Sequence, residues 1–378
     1  MELVGFVWFL AEKPVLPGIA RYFFLEKFKN AKPRRQRLTW NLELGTWNLN
    51  LCAVNEMLPS VTVVIAARPD QAEIKAVTAG RLLDYPREKL EIIVARGKQP
   101  SVQRNAAMRA ARGELIYFLD DDSTPPPGNL RRVVAAFTDP KVRMVGGPNL
   151  CPPEAPLLEQ VFALVQASWL AFGPSRARYA SVGIVRESSE KELILCNLIA
   201  RRAAMIELGG FNEALYPNEE NALMDAMQQR GGKLLYDPSL IVHRRPRNNL
   251  RAFAKMLLNY GRGRAEQFRL QPTLGSAPNF VPPLFCVYLA ALAGFLIFGK
   301  SSFLPLLLIP LLGYGMALLV QAAVLTAHGG IFQSICAIPL IFLTHLLYGI
   351  GFWRGLFTSL KPPEQRPKPP VTLETIPL

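Results

Sequence analysis

Histidine and closely paired cysteine are scarce in this chain. Its 378 residues include three histidines and five cysteines, Cys52, Cys151, Cys196, Cys286 and Cys336, and none of these forms a Cys-x-x-Cys pair. An odd number of isolated cysteines offers neither zinc-ligand spacing nor a disulfide framework, and it fits a reducing compartment. Charge is missing locally as well: from Arg269 to Arg354 the one charged residue is Lys300. A soluble domain almost never runs that far without charge. Such a stretch holds several segments of the ~20 apolar residues that cross a bilayer. A secretory signal is not expected either, because the apolar stretch 3–10 is short and is followed by Glu12.

The charge that is present is uneven. The net formal charge is +14. Residues 1–37 carry eight Lys or Arg against three Glu, and residues 244–269 carry eight against one, so these two segments supply +12 of the total. The first contains aromatics (Phe6, Trp8, Tyr22, Phe23), and the second abuts the apolar region. Both patterns suit anionic lipid headgroups or lipid phosphates better than nucleic acid. The first segment reads as a helix lying in the membrane interface.

From Val61 the pattern changes. Short apolar runs at 61–65, 90–94, 115–119 and 142–145 read as buried parallel strands. Helical stretches at about 71–83, 103–112 and 129–137 separate them, and further helices are expected at 157–172, 199–208 and 219–229. Short strands are expected at 233–236 and 240–243. Strands alternating with helices predict an α/β domain with a mostly parallel sheet. Uncharged runs at 280–298, 303–326 and 331–350 predict about three transmembrane helices, and the Pro-rich tail after Lys361 is expected to be extended or disordered. The expected organisation is therefore an interfacial segment at 1–58, the α/β domain at 59–245, a basic interface segment at 246–279, the membrane region at 280–356 and the tail at 357–378.

The third strand runs straight into Asp120-Asp121-Asp122. Ligands of open α/β sheets bind at the carboxyl ends of strands. Three adjacent carboxylates repel one another unless a cation neutralises them. Hard oxygen ligands of this kind suit Mg²⁺ or Mn²⁺, which bind through a few carboxylates plus substrate phosphates. In extended chain, residues i and i+2 face the same way, so Asp120 and Asp122 share a side.

Around this triplet the chain resembles the family 2 glycosyltransferases, whose catalytic domain has the GT-A nucleotide-diphospho-sugar transferase fold. The matching elements stand in the family's order: Arg68-Pro69-Asp70, Asp84-Tyr85-Pro86, Arg104-Asn105, Phe118-Leu119-Asp120-Asp121-Asp122, Gly146-Gly147, Gly209-Gly210-Phe211-Asn212-Glu213 and Asn218-Glu219-Glu220-Asn221. Pro246-Arg247 and the segment from Tyr260 to Arg264 are similar to the membrane-anchored, succinoglycan-type branch, which builds exopolysaccharide on a lipid carrier. The resemblance implies that Asp120 and Asp122 hold the metal, and that Arg68, Asp70, Arg104, Asn105, Asp120 and Asp121 line the nucleotide-sugar site. It also implies that Glu219 or Glu220, with Glu220 preferred, is the general base. His243 stands where some relatives add a metal ligand, and a plain hydrogen-bonded histidine fits there equally well. Arg262 and Arg264 have the fork geometry that suits phosphate, either of the donor or of a lipid-phosphate acceptor.

The resemblance thus implies an inverting enzyme that moves one sugar from a nucleotide-sugar, with UDP the expected carrier, to a lipid-linked or membrane-proximal acceptor. Two alternatives stay open: a synthase that charges polyprenyl phosphate directly, and a non-catalytic membrane scaffold. The family usually has an Asp after the second strand that contacts the base, and this chain has Ala95-Arg96-Gly97-Lys98. The processive motif Gln-x-x-Arg-Trp is absent, which argues for single-sugar addition. The basic segment before the first apolar run places the catalytic domain on the cytoplasmic face of the plasma membrane. Three crossings then put the tail outside, unless one segment is re-entrant.

Overall fold

The computed structural model describes residues 58–213, 215, 218–270, 272, 274–298, 303–359 and 370–378. The interfacial helix expected within 1–58 therefore lies outside the described residues, except for residue 58.

Val61–Ala67 (β1) is rich in β-branched side chains and almost wholly buried, as a strand covered on both faces must be. Leu90–Arg96 (β2) and Leu115–Asp120 (β3) are apolar and largely buried in the same way. β1 lies between them and runs parallel to both, pairing Val61 with Leu90 and with Leu115. Parallel neighbours need crossovers, and Lys75–Arg81 (α1) and Pro100–Ala110 (α2) provide them. Asn129–Val133 (α3), Val142–Gly146 (β4), Asn149–Leu150 (β5), Leu157–Ala167 (α4), Trp169–Phe172 (α5) and Arg186–Ser188 (β6) follow. Next come Asn197–Arg201 (β7), Arg202–Glu207 (α6), Glu219–Gln229 (α7), Lys233–Tyr236 (β8) and Val242–His243 (β9). The helix expected at 199–208 begins instead at Arg202, because 199–201 form the end of β7, antiparallel between β3 and β4. A short apolar run does not by itself separate strand from helix.

Thr372–Ile376 (β10) completes an eight-stranded sheet in the order β10-β2-β1-β3-β7-β4-β8-β6. Strands β1 to β4 and β8 share one direction, while β6, β7 and β10 oppose it. The sheet is thus mostly parallel, as expected. β5 and β9 form a separate parallel pair beside it. Phe118, Met144, Leu198, Met205, Phe211 and Met224 pack in one buried cluster against the sheet. The tail, expected to be extended or disordered, is extended over 372–376, where it forms this edge strand.

The chain then leaves the sheet through Leu250–Leu270 (α8). Val281–Phe298 (α9) and Leu304–Phe357 (α10) carry the apolar sequence. α10 bends at Gly330, with φ 79° and ψ 170°, into two arms at 304–329 and 331–357. The three apolar runs of the sequence are therefore α9 and these two arms.

Candidate active site

Asp120 ends β3, and a buried polar network fixes what faces it. The Tyr117 hydroxyl donates to Asn197 Oδ1 at 2.9 Å, and Asn197 Nδ2 donates to the Leu240 carbonyl at 2.6 Å. Asn129 Nδ2 donates to the Ile241 carbonyl at 2.7 Å. These bonds hold the approach to β9 against β3. Just beyond, the backbones of Thr124 and His243 exchange hydrogen bonds at 2.9 and 3.1 Å, and the Arg244 amide donates to the Leu150 carbonyl at 3.0 Å. Arg244 is thereby delivered to the aspartates.

Its guanidinium bridges them. Arg244 Nε donates to Asp122 Oδ1 at 2.5 Å, and Nη1 lies 3.1 Å from Asp120 Oδ2. On the other side, Arg104 Nη2 donates to Asp120 Oδ1 at 2.8 Å, and Arg104 Nη1 donates to Glu219 Oε1 at 3.2 Å. Burial alone would push the Asp120 carboxyl up, but Arg244 and then Arg104 outweigh it and hold it below the usual carboxylate range. Asp121 turns its carbonyl to the Ala76 amide at 3.1 Å.

The two glutamates open α7. Asn218, immediately before them, has φ 99°, a left-handed conformation uncommon outside glycine, and its Nδ2 is buried without a hydrogen-bond partner. Strain of this kind persists where surrounding structure enforces it, frequently at functional sites. Glu219 is buried and held by Arg104. Desolvation and then the neighbouring Glu220 charge push Glu219 up to about 8, against the pull of Arg104. Glu220 is only half-buried.

Two cavities flank this chemistry. The first, about 440 Å³, is lined by Arg68, Asp122, Asn149, Arg244 and Arg247 among others. The second, about 290 Å³, is lined by Glu220, Asn218, Arg178, Arg264, His345 and Tyr348 among others. Tyr179 and Tyr260 line both cavities, and their hydroxyls are 3.3 Å apart.

The residues singled out from sequence separate accordingly. Asp120, Asp122, Arg104 and Glu219 form one ion-paired chain with Arg244. Arg68 joins Asp122 at the first cavity, while Asp70 is exposed on the same loop. Asn105 spends its amide on the turn after α6: Nδ2 donates to the Phe211 carbonyl at 2.9 Å, and Oδ1 accepts from the Phe211 amide at 2.8 Å. Arg264 lines the second cavity rather than the first, and Arg262 Nε lies 3.5 Å from Glu266 Oε1 one helical turn on. Arg96 meets neither cavity; it pairs with Glu374 of β10 at 3.1 Å and donates to the Gln71 carbonyl at 2.8 Å. Sequence reading missed Arg244 as the bridging group. It stands in a run of basic residues, and nothing local distinguishes it from Arg245, which pairs with Glu159 of α4 instead.

Asp120 and Asp122 present hard oxygens suited to Mg²⁺ or Mn²⁺, and the buried Nδ1 of His243 has no hydrogen-bond partner. Among the described residues no group of three His, Cys, Asp or Glu side chains is arranged to hold an ion by itself. Arg244 competes for the same carboxylates.

The sequence model "Glycosyl transferase family 2" matches residues 78–156, a span that contains β2, β3 and the aspartate triplet. The pre-mycofactocin glycosyltransferase of two Mycobacterium tuberculosis strains is 27% identical over 166 residues, 43% of this chain. The chain spans about a third, 34%, of the length of these curated relatives. Among solved structures, the mannosyltransferase PcManGT from Pyrobaculum calidifontis in complex with GDP-Man and Mn²⁺ gives a TM-score of 0.48 at 16% identity, covering 80% of this chain and 88% of that one. S. aureus TarS 1-349 in complex with UDP gives 0.38 at 12%, covering 79% and 90%. Residues 78–156, which match the glycosyl transferase family 2 model, thus lie within a mostly parallel α/β sheet whose strand β3 ends at the aspartates.

Proposed function

We propose that the protein is an inverting glycosyltransferase that moves one sugar from a nucleotide-sugar, expected to be a UDP-sugar, to a lipid-linked acceptor. The observation that carries this reading is that Glu220 lines a cavity sharing the Tyr179–Tyr260 wall with the cavity of Asp122 and Arg244. Donor and acceptor then meet at that wall. Glu220 takes the proton from the acceptor hydroxyl as its oxygen attacks the anomeric carbon. The bond from that carbon to the diphosphate oxygen breaks on the opposite face, which inverts the configuration. Arg244 and Arg247 stand at the donor cavity to meet the leaving charge. Glu219, largely protonated near neutral pH and committed to Arg104, is the weaker base candidate. Asp120, Asp122 and His243 would hold a divalent ion, which supplies further neutralisation of the diphosphate. Arg104 keeps Asp120 and the first turn of α7 in fixed relation.

The acceptor cavity is bordered by apolar helices and by Arg178, Lys191 and Arg264. This supports an anionic amphiphile as acceptor; with it we propose the plasma membrane as location, the catalytic domain on its cytoplasmic face, and a place in polysaccharide or glycolipid synthesis in the succinoglycan-type branch. The same features suit polyprenyl phosphate itself as acceptor; product analysis separates the two, since that product carries one sugar on a single phosphate. The test is a thermal-shift screen of nucleotide-sugars with Mn²⁺ or Mg²⁺. We expect a metal-dependent shift that Asp122→Asn removes and Glu220→Gln retains, with turnover lost in both. Absence of any shift or hydrolysis with the wild-type chain would leave only the scaffold reading.

A further inference from the structure

Three apolar helical segments and a tail bound to the sheet impose a parity on the chain. β10 pairs antiparallel with β2 from Thr372 to Ile376, Glu374 is paired with Arg96, and the Pro377 carbonyl accepts from Arg81 Nε at 3.2 Å. The tail therefore sits on the catalytic domain's side. Between Phe357 and Thr372 the sequence contains Lys361, Arg366, Lys368 and a run of prolines. Such chain does not cross hydrocarbon, where every backbone polar group must be satisfied internally. Hence α10 ends on the side where α9 begins, and an odd number of crossings is excluded.

The packing identifies the segment that does not cross. The arm 331–357 lies directly on α8, backbone against backbone. A Cβ at Gly261 would stand 2.0 Å from the Tyr348 carbonyl oxygen, and one at Gly351 would stand 2.1 Å from that of Leu258. Farther on, Arg269 Nη1 donates to the Gly355 carbonyl at 3.1 Å. α8 carries Arg251, Lys255, Arg262, Arg264, Glu266 and Arg269, and cannot enter hydrocarbon. The bend before this arm is also held at the catalytic domain. A Cβ at Gly329 would stand 2.2 Å from Leu164 of α4, and Leu325, Ala337 and Ile341 share a cluster with Val161 and Phe162 of the same helix. Along the arm, Ala337, Ile341, Thr344 and Phe352 are buried, whereas Ile331, Ile335, Ile350 and Phe357 are exposed. One face docks on protein and the other is apolar and bare, as in helices lying in the bilayer interface.

α9 and the arm 304–329 behave differently. They pair as a hairpin: Tyr288 donates to the Leu307 carbonyl at 2.6 Å, and the rings of Phe285 and Tyr314 are 4.8 Å apart. Away from that base, Leu296, Phe298, Leu306, Ile309, Leu312 and Met316 are 58–88% exposed. At 1.5 Å per residue, α9 is ~27 Å and the arm ~39 Å long, against a hydrocarbon core of ~30 Å.

We propose that the chain crosses the membrane twice, through α9 and 304–329, and that 331–357 lies in the plane of the catalytic-side leaflet beneath α8. This rests on the membrane location proposed for the enzyme and decides its topology. The experiment labels Lys300→Cys and Ser359→Cys with an impermeant maleimide in intact spheroplasts and in inside-out vesicles, with the unsubstituted protein as background. A carbonate wash of the same membranes checks anchoring. We expect Lys300→Cys to react in spheroplasts, and Ser359→Cys only in inside-out vesicles, together with an epitope in the catalytic domain. Reaction of Ser359→Cys in spheroplasts would establish an odd number of crossings and overturn the proposal. Confinement of both sites to inside-out vesicles would show that the hairpin does not reach the far face, and would overturn it while leaving membrane attachment intact. Release by carbonate would instead remove the membrane reading itself.

Discussion

Replacing Glu219 by Gln tests the division of labour between the two glutamates through stability rather than through activity. Glu219 is buried, and its carboxyl moves from an ordinary value of 4.5 to about 8, first by desolvation and second by the charge of Glu220. A group whose folded pKa is raised contributes stability that is fully present below its unfolded pKa and is lost as pH rises through its folded pKa. Wild-type stability should therefore decline from about pH 4.5 to about 8. At ~1.4 kcal/mol per pKa unit, the full shift corresponds to ~5 kcal/mol. Arg104 and Glu220 share the site, so part of that change is taken up by their rearrangement. A remaining effect of ~2 kcal/mol moves melting by several degrees in a domain of this size.

Gln keeps the acceptor oxygen for Arg104 and has no proton to lose. In melting curves of the detergent-solubilised chain from pH 6 to 9, the wild type should lose stability relative to Glu219→Gln, and the gap should widen up to about pH 8. If the two curves run parallel across that range, Glu219 is already ionised at pH 6 and the assignment of Glu220 as base loses its electrostatic support. The same pair of proteins separates folding from chemistry, because Glu219→Gln should keep measurable turnover while Glu220→Gln should not.

Arg244→Ala frees Asp120 and Asp122 from their shared cation, so titration calorimetry should show tighter Mn²⁺ binding to the free protein. Turnover should nevertheless fall by ~10²-fold, the size expected when a preorganised group that meets transition-state charge is removed. Gly261→Val places a side chain where a Cβ already meets the Tyr348 oxygen at 2.0 Å. It should force α8 and 331–357 apart and destabilise the protein by about 1–3 kcal/mol, as overpacking typically does, measured as a lowered detergent melting temperature.

The parts of this fold that were legible in the sequence are those whose partners are close in the chain. β1, β2 and β3 announce themselves as short apolar runs because each is buried on both faces, and the aspartates gain meaning from the strand they terminate. β7 escaped because Leu198-Ile199-Ala200 runs directly into the residues of α6, and only the slot between β3 and β4 makes it a strand. β10 escaped for a related reason. Thr372-Leu373-Glu374-Thr375-Ile376 comes after a run of prolines and charges that dominates the composition, and its strand character comes from the open edge of β2, far away in sequence. Arg244 was hidden among the arginines from 244 to 251. Its role depends on the β5–β9 pairing that lifts it toward Asp122 while Arg245 turns to Glu159.

The tail strand also bears on the residue that the resembling family would place after β2. An exposed end of β2 would leave room for an Asp to reach a nucleotide base. Here that end is occupied. Thr372 pairs with Arg96 and Leu373 with the buried Ala95, while Gln103 Nε2 donates to the carbonyls of Ala67 and Ala95 at 2.7 and 2.6 Å. Arg96 in turn holds Glu374 on one side and the Gln71 carbonyl on the other. Gln71 belongs to the loop that carries Arg68 to the cavity of Asp122 and Arg244. The guanidinium that replaces the expected carboxylate is therefore spent on tying the tail to that loop and is not available to a phosphate. An Asp at this position would lose both partners and face the Glu374 carboxylate, so the Arg and the tail strand belong together.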